Sequence, residues 1–73
     1  MLAWSLEGHK VLGTYRGISY TGFVISSYPD PDGIIVHAVA LDTPIFIENQ
    51  SYRIIHLDHN TSEADWETLR VVG

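Results

Sequence analysis

His56, Asp58 and His59 form the densest group of metal-ligand side chains in this chain, and His37 adds another imidazole. Zinc needs three or four convergent ligands, usually in a recognisable set. His56 and Asp58 would share one face of a strand, because side chains alternate with a period of two. Nothing completes a ligand set, so these are read as surface groups at a strand end and no metal is expected. Asp30, Asp32 and Gly33 resemble the start of a calcium loop, but the distal glutamate is missing, so they are read as a turn. Ser26 and Ser27 have no base nearby in sequence and no glycine-rich elbow around them. No two carboxylates stand out as an acid and base pair. The chain is therefore not expected to be an enzyme, and no cofactor is implied.

Aromatic side chains are the remaining chemical resource. Nucleic-acid bases stack on exposed rings, at about 1–3 kcal/mol per base. Tyr28 beside a loop is the most exposed in expectation, followed by Tyr52, which has Arg53 next to it; Tyr15 has Arg16. Tyr15, Tyr20 and Phe46 fit core or interface packing instead. Against a nucleic-acid role stands a net charge of −5, with Lys10, Arg16, Arg53 and Arg70 as the fixed cations. Phosphate neutralisation supplies most nucleic-acid affinity, and four cations per chain make little of a basic patch unless assembly multiplies them.

Short strands separated by turns would position these groups. Lys10–Arg16 reads as the first strand, with Val11, Gly13 and Tyr15 on one face. Gly17 supplies the tight connection, since glycine takes positive φ freely. The second strand, Ser19–Ser27, puts Tyr20, Gly22 and Val24 on one face and Thr21, Phe23 and Ile25 on the other. A glycine inside such a strand marks a bend or a close backbone approach. The loop from Tyr28 to Gly33 carries two prolines and an Asp-Gly turn. Ile34–Leu41 is a third strand, Asp42-Thr43-Pro44 turns the chain, Ile45–Ile47 is a fourth strand, and Tyr52–Leu57 a fifth. Near the C-terminus two readings stand: a short helix capped by Ser62, or an extra strand within Glu67–Val72.

Five short strands at this spacing predict an all-β fold, a small and strongly bent antiparallel barrel of the SH3-like class, with all 73 residues in one domain. Ile34-Ile35-Val36, Ile45-Phe46-Ile47 and Ile54-Ile55 are consecutive apolar residues, so both faces of these strands need cover. A chain this short buries only about 60% of its unfolded surface and needs a staple. Disulfides are excluded, since there is no cysteine. Oligomerisation is left, with Ile45, Phe46, Ile47, Ile54 and Ile55 as the expected contact residues. Lack of cysteine fits a reducing compartment. No signal peptide and no stretch of about 20 apolar residues is seen, so a cytoplasmic, non-membrane protein is expected.

Leu6, Gly8, Lys10 and Val11, then Tyr15 and Gly17, then Tyr20-Thr21-Gly22-Phe23-Val24 follow the first signature of the Sm-like family. In this stretch, about the first third of the sequence, the chain resembles small divergent members of that family from bacteriophages such as cyanophages. The resemblance implies the barrel, ring assembly of five to seven subunits in which the fourth strand of one subunit pairs with the fifth of the next, and binding of single-stranded RNA. A phage-encoded chain would work in the host cytoplasm.

The second signature is altered. Where the family has aliphatic-arginine-glycine this chain has Ile47-Glu48-Asn49, with Ile54 and Leu57 following. Asn49 can replace glycine, since asparagine tolerates the left-handed conformation. Glu48 reverses the charge of an arginine that in the family helps hold a base and its phosphate. The family's RNA-binding aspartate and asparagine would fall in the Tyr28–Gly33 loop, where Asp30 or Asp32 stands instead. An RNA site would therefore be non-standard, built from Tyr28, Asp30, Asn49, Tyr52 and Arg53. Two functions follow: a ring binding single-stranded RNA at that site, or a protein-binding or structural oligomer that has lost it.

Overall fold

Two-residue turns organise the sheet. The computed structural model describes residues 5–58 and 67–72. Strands β1 (Lys10–Tyr15) and β2 (Ile18–Pro29) are joined by Arg16-Gly17, with φ of 50° and 80°. Strands β3 (Ile35–Ile47) and β4 (Gln50–Asp58) are joined by Glu48-Asn49, with φ of 50° and 68°. Two consecutive positive φ values make the type I′ turn, whose twist matches the flanking strands. Asn49 thus adopts the left-handed conformation expected of it, and Glu48 adopts it too.

A different device closes the β2–β3 loop. The Asp30 carboxylate oxygen Oδ1 accepts from the amides of Asp32 at 2.8 Å and Ile34 at 3.0 Å. The Asp30 and Ile34 backbones also bond, at 2.8 Å, and Gly33 turns with φ of 83°. The proline-rich stretch is a self-contained turn.

All pairings are antiparallel, and the strand order is β4-β3-β2-β1-β5, where β5 is the two-residue strand Arg70–Val71. The all-β, five-stranded expectation holds. The sheet has β4 and β5 as its outer strands, which do not pair with each other, so it is not closed. Among the described residues there is no helix, and hence none long and apolar enough to cross a membrane. Of the two C-terminal readings, the strand is found at Arg70–Val71; the proposed Ser62 cap lies outside the described residues.

The strand count was reached differently from expectation. Asp42-Thr43-Pro44 does not turn the chain back; β3 runs through it for 13 residues, with a register shift between Ala40 and Ile45. Proline has no N–H for the ladder and is accommodated where pairing is interrupted. Ile45, Phe46 and Ile47 therefore pair with Tyr52, Ser51 and Gln50 of their own chain. A second irregularity, between Val24 and Ser26, bulges β2 at Ile25.

The core lies on one face. Val24, Val39 and Ile55 are in register across β2, β3 and β4, and with Val11, Tyr20, Ile45 and Leu57 they form the buried cluster. Gly22 stands in this face because a Cβ there would overlap the Ala40 carbonyl oxygen and approach Val39 Cγ1 to 2.9 Å. That is the close backbone approach its position implied. The segment before β1 lies along the bulged part of β2: Gly8 N–H donates to the Val24 carbonyl at 2.8 Å, and Val24 N–H to that of His9 at 3.0 Å.

Candidate interaction surface

The five residues expected at a nucleic-acid site do not converge within one chain. Antiparallel strands put the β1–β2 and β3–β4 turns at one end of the sheet and the β2–β3 loop at the other. Asn49 and Tyr52 belong to the first end, where the Tyr52 hydroxyl donates to Gln50 Oε1 at 2.9 Å. Tyr28 and Asp30 belong to the second: Tyr28 is in register with Val36, and Val36 with Asp58. Gln50 and Asp58 bound β4, so extended rise sets the two groups on the order of 26 Å apart. Arg53 is exposed and sits at the β3–β4 irregularity, between Tyr52 and Ile54. Tyr28 is exposed as expected. Asp30 already spends Oδ1 on its own loop.

The five apolar contact candidates divide by face. Ile45 and Ile55 are taken up by the subunit's own core, and Ile47 packs against it. Phe46 and Ile54 remain open to solvent, at 71% and 48% exposure. Phe23 and Ile25, which are not among the expected contact residues, are 45% and 53% exposed. Their phase, opposite to that of the buried Val24, was the available signal. Lys10, Phe23, Ala40 and Ile54 are in register across β1 to β4, forming one row on the outer face. Lys10 Nζ stands 5.4 Å from the Phe23 ring centre and 3.4 Å from Asp42 Oδ2, and Thr21 Oγ1 donates to that oxygen at 2.9 Å. The row is apolar in the middle and polar at one end. The Arg16 guanidinium likewise lies 5.7 Å from the Tyr15 ring centre.

Two polar knots went unnoticed in the sequence. In the first, His37 is fully buried and its Nδ1 lies 2.7 Å from Ser27 Oγ, which also accepts from the Leu6 amide at 3.0 Å. Glu7 Oε2 accepts from the Ser27 backbone N–H at 3.0 Å. Ser27 is buried, and the carboxylate orients a backbone amide rather than the imidazole. The knot ties the chain before β1 onto β2.

In the second knot, Thr68 docks on β1. Its N–H donates to the Thr14 carbonyl at 2.8 Å, its Oγ1 accepts from Thr14 N–H at 2.9 Å, and its carbonyl accepts from the Tyr20 hydroxyl at 2.8 Å. Burial pushes the Tyr20 phenol well above its ordinary pKa by disfavouring the phenolate.

His56 pairs with Ala38 and is exposed, while His37 pairs with Leu57 and is buried, so neighbouring positions send these imidazoles to opposite faces. His59 lies outside the described residues. Among the described residues no three His, Asp or Glu side chains gather as a metal site would require. The geometry offers a surface, with an apolar outer row and, among the described residues, a strand edge along β4 that pairs with nothing beyond β3. Comparison with protein-family models, with curated proteins and with solved structures finds no match to this chain.

Proposed function

We propose that this chain works as a homo-oligomeric β-module with a structural or protein-binding role. The observation that carries this reading is the outer apolar set of Phe23, Ile25, Phe46 and Ile54, exposed on strands whose opposite face already fills the core. Such a surface on so small a domain calls for a partner. The Sm-like resemblance supplies one form for the assembly, a ring of five to seven bent barrels joined fourth strand to fifth. The strands expected as fourth and fifth, Ile45–Ile47 and Tyr52–Leu57, lie in β3 and β4 here and meet at Ile45 and Tyr52 within the chain, so an assembly of that kind would have to use the outer edge of β4.

Binding of single-stranded RNA, the other role implied by the resemblance, is disfavoured by two observations. Tyr28 and Asp30 lie at the opposite end of the sheet from Asn49 and Tyr52, so one site would need more than one subunit. Glu48 and the net charge of −5 oppose phosphate. Native mass spectrometry, with and without short uridine-rich and adenine-rich oligonucleotides at low salt, tests the reading. An oligomer without bound RNA is the expected result. A monomer at micromolar concentration, or stoichiometric RNA on every oligomer, overturns it.

A further inference from the structure

The two edges of the sheet are unequal. β4 spans nine residues, Gln50–Asp58, and among the described residues pairs with β3 alone, whereas β5 at the far edge has two residues. Beside β5 the outer side of β1 is already occupied, by Val72 N–H on the Lys10 carbonyl and Thr68 N–H on that of Thr14. A head-to-tail contact would set a long edge against a short one and leave most of β4 unpaired. Folded proteins blunt long edges with proline, lysine or strong bulges, because unpaired N–H and C=O groups recruit other strands. The β4 sequence, Gln-Ser-Tyr-Arg-Ile-Ile-His-Leu-Asp, contains neither proline nor lysine and is rich in strand-forming side chains.

We propose that β4 pairs with β4 of a second copy about a two-fold axis, giving a continuous ten-stranded sheet in the dimer. This rests on the homo-oligomer reading above and names the contact. A two-fold axis perpendicular to the sheet makes the two edges antiparallel and equal in length, and it keeps inner side chains inner and outer side chains outer. The regular half of β4, Ile54–Asp58, meets that condition: Ile55 and Leu57 point to the core, while Ile54, His56 and Asp58 are exposed. Centring the contact on this half places the axis at Ile54, Ile55 or His56. Charge agrees with the same arrangement. Arg53 immediately precedes this half and Asp58 ends it, so antiparallel mating carries each Arg53 towards the other copy's Asp58. The exposed Ile54 of each copy meets the other edge, and the apolar row Phe23–Ala40–Ile54 continues into its mate.

The absence of cysteine makes the test clean. Ile54→Cys, His56→Cys and the double variant are oxidised at micromolar concentration, and the products are weighed under native and denaturing conditions. A dimer in the unmodified chain, and a disulfide-linked dimer from at least one variant, are the expected results. In a head-to-tail ring no β4 meets another β4, so a ring without cross-linking overturns this inference and leaves the homo-oligomer reading standing. A dimer that none of the three variants cross-links overturns it in the same way. A monomer overturns both. As a second arm, Arg53→Asp is expected to weaken the dimer at least tenfold and Arg53→Asp with Asp58→Arg to restore it. Failure of the restoration refutes the antiparallel mating.

Discussion

Gly13→Ala should unfasten the C-terminal segment and destabilise the domain far more than its one added methyl suggests. A Cβ at Gly13 would overlap the Thr68 carbonyl oxygen and stand 2.7 Å from its carbonyl carbon and 2.8 Å from its Oγ1. The two nearest of these atoms are backbone, which cannot swing away as a side-chain tip can. Moving Thr68 loosens its bonds to the Thr14 backbone, to Thr14 Oγ1 and to the Tyr20 hydroxyl. With a net worth of about 0.5–1.5 kcal/mol for each bond, and water replacing some of them, the loss is about 2–4 kcal/mol. Leu69 packs against the core and the pairs Leu12–Arg70 and Val11–Val71 follow Thr68, so β5 should go with it.

Urea unfolding at fixed protein concentration measures the loss, and hydrogen exchange at Arg70 and Val71 locates it. In a domain this small each kcal/mol moves Tm by roughly 4–8 °C, so a fall of about 8–32 °C is expected. Gly17→Ala is the control: its φ is 80° and its Cβ would meet nothing within 4 Å, so it should cost about 1 kcal/mol. Thr68→Ala should add little to Gly13→Ala, since both act on one anchor. A Gly13→Ala protein no less stable than Gly17→Ala, with Arg70 and Val71 still protected, would refute the reasoning.

Ser27→Ala removes the partner of His37 Nδ1 and of the Leu6 amide, both at a buried position, and should cost about 2–3 kcal/mol in denaturant unfolding; a loss below half a kcal/mol would show that water replaces the hydroxyl. The raised phenol of Tyr20 gives a pH dependence of definite sign. The folded chain holds that proton more tightly than the unfolded one, so its contribution is complete below about pH 10 and declines above it by up to about 1.4 kcal/mol per pH unit. Tyr20→Phe should flatten this alkaline slope while losing the bond to Thr68; an unchanged slope refutes the assignment. Glu48→Asn places a residue suited to positive φ in the type I′ turn and should raise stability by about 0.5–1 kcal/mol, read as a higher Tm.

Much of the sheet was legible because it depends on local rules. Alternation in Ser19–Ser27 assigned both faces of β2, and Gly17 and Asn49 marked the two tight turns. The β3 strand was misread because Asp42-Thr43-Pro44 has turn composition, while its role as an irregularity inside a strand is decided by what β4 pairs with on either side. The same long-range pairing set Ile45–Ile47 against Gln50–Tyr52 within the chain. Tyr28 and Asn49 each followed from local chemistry, but their separation depends on strand direction and length, which no single motif encodes. The Ser27–His37 and Thr14–Thr68 contacts join residues 10 and 54 positions apart, and nothing in the local sequence of either links them.

Energetics explain why a strand edge and an apolar face should act together in assembly. Phe23, Ile25, Phe46 and Ile54 are already partly covered. Completing their burial is worth about 1 kcal/mol each, taking full burial of such side chains as about 1.5–3 kcal/mol. Two copies could gain at most about twice that sum, and association costs an estimated 4–15 kcal/mol in lost freedom. The face alone therefore sits near break-even. Strand pairing along β4 adds backbone hydrogen bonds whose donors and acceptors already stand fixed by pairing with β3, so little further ordering opposes them. Edge pairing also sets a register and faces, which a flat apolar contact does not. An assembly joined at β4 can leave Phe23, Ile25 and Phe46 largely free, and these are the side chains through which a further copy or a protein partner would be held.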